Sequence, residues 1–161
     1  MKPSIYVETS IIGYLTSRPS RDLVTAAHQQ ITAEWWEDQR SKFDLCISQF
    51  VLRECGAGDQ QFAAKRLALV QNLPLLPAIP EALVLAQMLT RNGPLPKKAE
   101  VDALHLAVAA VNSVNYLLTW NSKHIANAAM RPRIEALCRQ AGYEPPTICT
   151  PEELMEEEHV D

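Results

Sequence analysis

The chain is poor in most of the features that mark specialised protein classes. Aromatic residues make up 6% of its 161 positions. Cysteine occurs four times, at Cys46, Cys55, Cys138 and Cys149, far apart and with no Cys-x-x-Cys pair. A domain of this size needs no disulfide framework, so reduced, buried thiols are expected. Long apolar runs are missing too. The stretch from Ala103 to Val111 is interrupted by His105 and falls well short of the roughly 18 to 20 residues a membrane helix requires. The start MKPSIYVETS has one lysine but no signal-like apolar core, which predicts a cytoplasmic protein with no membrane association. There is also no excess of positive charge. The formal net charge is −4, which argues against gripping nucleic acid by bulk electrostatics.

What is present is the balance of one compact globular domain, with 47% hydrophobic and 21% charged residues; this excludes a disordered or fibrous chain. The charge is unevenly placed. Glu152, Glu153, Glu156, Glu157, Glu158 and Asp161 put six of the nineteen acids in the last ten residues, while up to Pro151 fifteen bases face thirteen acids. A nearly neutral domain over residues 1–150 followed by an acidic tail over 151–161 tolerates a polyanionic ligand without demonstrating one.

Neither repeats nor low-complexity linkers divide the chain, and strand-like and helical segments alternate along it. Ser4 to Glu8 is a β-prone run leading into Thr9-Ser10, which can cap a following helix. A helical pattern runs from about Arg21 to Arg40, followed by a buried strand over Phe43 to Ile47 and a helix cap at Ser48. The next helix carries Glu54 and stops near Gly56 or Gly58, where Asp59 caps another reaching Leu73. Pro80 suits the first turn of a helix to about Asn92. From Ala99 to Asn112 a helix is apolar almost all round, with Asp102, His105 and Asn112 as its one polar stripe. Tyr116 to Trp120 is a further strand, Asn121-Ser122 a cap with helical segments to Ala141, and the region of Ile148 a last strand before a helix start at Thr150-Pro151-Glu152-Glu153. Such alternation predicts an α/β domain, a mostly parallel sheet with helices on both faces. Ligands of open sheets bind beyond the carboxyl ends of the strands, where Glu8, Ser48 and Asn121 fall.

Four positions on that edge can carry chemistry: Glu8, Glu54, Asp102 and Asn121. If the carboxylates meet, protonation or a cation must relieve their repulsion. A divalent metal is the economical answer, and hard oxygen ligands suit Mg²⁺ or Mn²⁺. Such a site, completed by phosphate oxygens and water, points to phosphodiester hydrolysis.

The segments Ile5-Tyr6-Val7-Glu8-Thr9-Ser10, Ser48-Gln49-Phe50-Val51-Leu52-Arg53-Glu54, Val101-Asp102-Ala103-Leu104-His105-Leu106-Ala107 and Leu118-Thr119-Trp120-Asn121 follow one another in the order of a PIN-domain protein. The chain resembles the VapC-type toxin ribonucleases of toxin–antitoxin systems over residues 3 to about 150. That resemblance implies a three-layer α/β/α PIN-like domain and a Mg²⁺- or Mn²⁺-dependent endoribonuclease acting on an RNA substrate. It further implies a homodimer and a cognate antitoxin protein that blocks the site. Carried over by residue, Glu8 takes the place of the usual first aspartate, Glu54 matches a glutamate, Asp102 matches the central aspartate, and Asn121 stands where another acid is common. Ser10 and Thr119 match supporting hydroxyls. Glu8, Glu54 and Asp102 are then the expected metal ligands. Glu8 is one methylene longer than aspartate and Asn121 lacks a charge, which motivates a rival reading: a catalytically weak or silent PIN-fold protein that binds RNA or a partner. A phosphatase-like enzyme using the same edge is a third, without a Gly-rich phosphate loop to support it.

Simpler roles stand beside these. Asp102 can stabilise a helix N-terminus, Glu8 and Glu54 can face solvent, and Asn121 can be an ordinary cap. His105 is expected as a hydrogen-bonded core histidine rather than a zinc ligand, and His124 as a phosphate contact or a solvated helix start. Lys97, Lys98, Arg131 and Arg133 can rim the site or lie in solvated loops. Trp35-Trp36 is expected to be core plus interface. Ser48 lacks a glycine elbow and a nearby histidine, which excludes serine hydrolase chemistry.

Overall fold

The computed structural model describes residues 1–91 and 93–155. Asn92, the expected end of the helix from Pro80, and residues 156–161 of the acidic tail lie outside the described residues. Four short strands, β1 (Ser4–Val7), β2 (Asp44–Cys46), β3 (Tyr116–Leu118) and β4 (Thr147–Cys149), form one sheet in the order β2-β1-β3-β4, every neighbouring pair parallel. Seven α-helices flank them among the described residues: α1 (Thr9–Thr16), α2 (Leu23–Asp38), α3 (Gln49–Cys55), α4 (Gln60–Val70), α5 (Pro80–Arg91), α6 (Glu100–Val111) and α7 (Arg131–Gln140). This is the expected α/β architecture. Its strands are continuous apolar runs because helices cover a parallel sheet, and Ile5, Tyr6, Val7, Leu117 and Leu118 are fully buried.

The chain leaves β1 on one side to build β2 and returns on the other to build β3 and β4. The connection therefore reverses between the adjacent strands β1 and β3, and a crevice opens at such a reversal beyond the strand ends. Glu8 follows β1 and Thr119 follows β3, with the Glu8 backbone N–H donating to Leu118 O at 3.1 Å. Helix α6 packs against α5, and its run from Ala103 to Ala110 is buried apart from the partly exposed Leu104. At its first turn Val101 is exposed, so the apolar surround of α6 is incomplete where it approaches the sheet edge.

Several local expectations are corrected. Glu8, not Thr9 or Ser10, is the N-cap of α1, because its carboxylate accepts the Ser10 N–H at 3.1 Å and the helix already includes Thr9. Helix α2 starts after Asp22, whose carboxylate takes the Thr25 N–H and hydroxyl. Those hydrogen bonds hold the Asp22 carboxyl below its usual range. Trp35 and Trp36 are both buried within this chain, so the pair belongs to the core as expected. After Asn121 the chain makes turns, not helix, until Arg131. At the start of the tail Pro151 to Leu154 form a turn held by reciprocal bonds between Thr150 and Glu153, and Pro151 is buried. All four cysteines are free and buried. No helix among the described residues is long and apolar enough to cross a membrane.

Candidate functional site

Strand alternation places Tyr6 and Glu8 on one face of β1, and the two residues open two hydrogen-bonded lines at the crevice. Glu8 is 5% exposed. Its Oε1 accepts Ser10 Oγ at 2.5 Å and Thr119 Oγ1 at 2.6 Å, and its Oε2 accepts the Ser10 N–H at 3.1 Å. Both hydroxyls are themselves fixed by the end of β3: Trp120 N–H donates to Ser10 Oγ at 2.9 Å and Asn121 N–H to Thr119 Oγ1 at 3.0 Å. The donors replace the water that the carboxylate loses in this buried place and fix its orientation.

The second line starts at Glu54, half-buried near the end of α3. Its Oε1 accepts Thr9 Oγ1 at 2.7 Å and meets His105 Nε2 at 2.5 Å. His105 is fully buried, and its Nδ1 lies 2.6 Å from the Tyr6 hydroxyl, which lies 2.6 Å from Ser48 Oγ. Glu54, the two ring nitrogens of His105, the Tyr6 hydroxyl and Ser48 Oγ thus form one continuous hydrogen-bonded line. Burial alone would raise the Glu54 carboxyl, but the His105 hydrogen bond and charge and the Thr9 hydroxyl outweigh it and hold the group below its usual value. Burial pushes the Tyr6 phenol far above its ordinary value despite the Ser48 bond, so Tyr6 stays a neutral bridge.

Glu8, Glu54 and His105 each offer a ligand atom within 4.8 Å of the others. Of the sequence-predicted acids, Glu8 and Glu54 are thus brought together, and Asp102 lies outside that cluster. Asp102 Oδ2 instead takes His124 Nδ1 at 3.0 Å, with both side chains less than a fifth exposed. Asn121 joins this pair through its Oδ1, which accepts the His124 N–H at 3.2 Å. His105 is the hydrogen-bonded core histidine expected. Arg131 does not stand free as a rim cation: it bonds the carbonyls of Ala126 and Ile148 and pairs with Glu153.

The sequence reading missed Tyr6, Thr9 and the pairing of His124 with Asp102. Tyr6 had a signal, since period-two alternation sets it beneath Glu8; Thr9 and His124 had none beyond adjacency. The donor set suits a hard divalent ion. Two carboxylates converge, hydroxyls hold both of them, and Glu54 Oε2 has no hydrogen-bond partner among the described residues.

No protein-family model matches the sequence, and no curated protein matches it. Solved structures similar in fold include two toxin–antitoxin complexes. One is VapBC2 from Rickettsia felis bound to a DNA fragment from their promoter, with a TM-score of 0.57 and 12% identity over 91% of this chain and 98% of that one. The other is VapBC-1 from nontypeable Haemophilus influenzae, with a TM-score of 0.56 and 14% identity over 92% and 98%. At these identities the likeness is one of fold: the chain is a PIN-like α/β domain, as its sequence motifs predicted.

Proposed function

We propose that this chain is a metal-dependent endoribonuclease that hydrolyses RNA phosphodiester bonds and serves as the VapC-type toxin of a toxin–antitoxin pair. The observation that carries the reading is the convergence of Glu8 and Glu54 at the reversal of a PIN-like sheet. The VapBC complexes among its fold neighbours support an antitoxin partner. Glu8 and Glu54 would hold Mg²⁺ or Mn²⁺, with Asp102 as a third candidate ligand whose carboxylate is shared with His124. When bound, such an ion neutralises the scissile phosphate and lowers the pKa of a water. Ser10 and Thr119 orient Glu8, His105 and Thr9 orient Glu54 and hold its carboxyl low, and Asn121 holds the turn that carries His124. Because His105 is an imidazole spent on Glu54 and Tyr6, it orients the carboxylate rather than contacting substrate.

One observation favours a second reading, a silent PIN-fold protein that binds RNA or a partner: Asp102 is engaged by His124 and stands apart from the two glutamates. Incubating purified protein with single-stranded RNA and Mn²⁺ or Mg²⁺ separates the two. Cleavage that stops in EDTA and falls at least a hundredfold in Glu54→Gln and Asp102→Asn, about 2.7 kcal/mol, supports the nuclease. Cleavage that survives EDTA and both substitutions overturns the metal mechanism, and RNA bound but uncut favours the silent reading.

A further inference from the structure

Gly13 lies inside α1, and a Cβ built there meets nothing within 4 Å. A glycine inside a helix is less stable than an alanine, and no packing among the described residues requires one here. What a bare helix surface permits is the close approach of another molecule. Two depressions meet at this position. One, of about 740 Å³, reaches from Gly13 to Asp59 and Phe62. The other, of about 560 Å³, reaches from Gly13 to Tyr14 and Ser10. Both are lined by Gly13, Ser17, Arg18 and Arg66, so they form one groove across α1, and its Ser10 end is the residue that grips Glu8.

We propose that this groove is the track along which a single strand of RNA leaves the carboxylate site, its sugar–phosphate backbone passing over Gly13 between Arg18 and Arg66. The proposal rests on the ribonuclease reading and adds the path of the substrate. The walls are built in advance. Arg66 is pinned by bonds from Nε to Cys55 O at 2.9 Å and from Nη2 to Ala57 O at 2.6 Å, which leaves its charge fixed in place. Arg18 lies over the Phe62 ring. Gln29 ties down the loop that carries Arg18, donating to Ser17 Oγ and Arg18 O and accepting from Ser20 N–H. The one acid in the lining, Asp59, caps α4 through the Gln61 and Phe62 N–H groups, so its charge is partly offset by the helix terminus. Two guanidiniums against one capped carboxylate select a polyanion over a neutral peptide. Tyr14 adds an aromatic ring of the kind on which unpaired bases stack.

The test is fluorescence anisotropy with a fluorescein-labelled single-stranded oligoribonucleotide in EDTA. Alongside it, cleavage in Mn²⁺ and circular-dichroism melts are measured on wild type, Gly13→Ala, Gly13→Glu and Arg18→Ala. Gly13→Ala, whose methyl takes part of the bare surface over which the strand passes, binds RNA about threefold more weakly than the wild type. Gly13→Glu melts no lower than Gly13→Ala by more than a helix-surface charge explains, yet binds about tenfold more weakly. Arg18→Ala, at an exposed position, lowers the slope of log affinity against log salt by about 0.7. Wild-type affinity and salt slope in both Gly13→Glu and Arg18→Ala overturn the track while leaving the nuclease standing, and the groove then belongs to a protein segment. A wild type that neither binds nor cuts the RNA overturns the ribonuclease reading itself.

Discussion

Replacing Tyr6 with Phe removes a single oxygen from the interior, at the centre of the line from Ser48 to Glu54. That oxygen lies 2.6 Å from both Ser48 Oγ and His105 Nδ1. Ser48 keeps the Phe50 N–H at 3.2 Å, so it loses one of two bonds, about 1 kcal/mol. His105 is fully buried, and its Nδ1 is left without a partner, a desolvation cost of about 1–3 kcal/mol. The phenyl ring stays, so no cavity is added and the total is about 2–4 kcal/mol. At about 2–4 °C per kcal/mol for a domain of this size, the thermal midpoint falls by roughly 5–15 °C. Urea unfolding of Tyr6→Phe, Ser48→Ala and the double variant measures the loss directly. The account expects the two single costs to be non-additive, because both substitutions break the same bond. It also expects the Glu54 carboxyl to titrate higher by NMR once His105 is free to turn. An unchanged midpoint, strict additivity and an unmoved Glu54 would together show that the line is a geometric coincidence.

Acid should act through Glu54. Its carboxyl lies below its ordinary 4.5 in the folded chain, so its contribution to stability is present above that value and is lost as pH falls through the folded-state value. The stability difference between wild type and Glu54→Gln should therefore shrink below pH 4.5, and a constant difference would contradict the His105 pairing. Burial pushes the Cys46 and Cys149 thiols up to about 12 and those of Cys55 and Cys138 up to about 11. None should react with a disulfide reagent at neutral pH until denaturant is added, and fast native labelling would refute their burial. Gly13→Ala should raise stability by about 0.5–1 kcal/mol, read from its melting curve; a loss would mean that the Cβ meets something.

How far this molecule could be read from its sequence depended on the range of the forces involved. β1 and β3 were visible because helices on both faces of a parallel sheet demand uninterrupted apolar runs such as Ile5-Tyr6-Val7 and Tyr116-Leu117-Leu118. The sheet edge as the site's address followed from the same alternation. The order β2-β1-β3-β4 was not visible, because strand adjacency is decided by packing between segments more than a hundred residues apart. Hydroxyls beside carboxylates were partly visible, as with Ser10 two residues from Glu8. The union of Asp102 with His124 was hidden, because α6 and the turn after β3 meet only in the folded chain. Helix α2 was legible as a helical pattern, but apolar residues within it such as Leu23 and Ala27 are exposed. Its buried polar residue is Thr32, which accepts the Trp120 indole N–H at 2.7 Å, and a hydrogen bond from a distant residue leaves no mark in hydrophobic periodicity.

The account stands on Glu8 and Glu54 gripping one divalent ion between them. Mn²⁺ binding followed by electron paramagnetic resonance, on wild type, Glu8→Gln and Glu54→Gln with folding checked by circular dichroism, tests this without any substrate. Saturable binding in the wild type that weakens about tenfold or more in each variant is the predicted result. Undiminished affinity in both folded variants, or no saturable binding in the wild type, contradicts it.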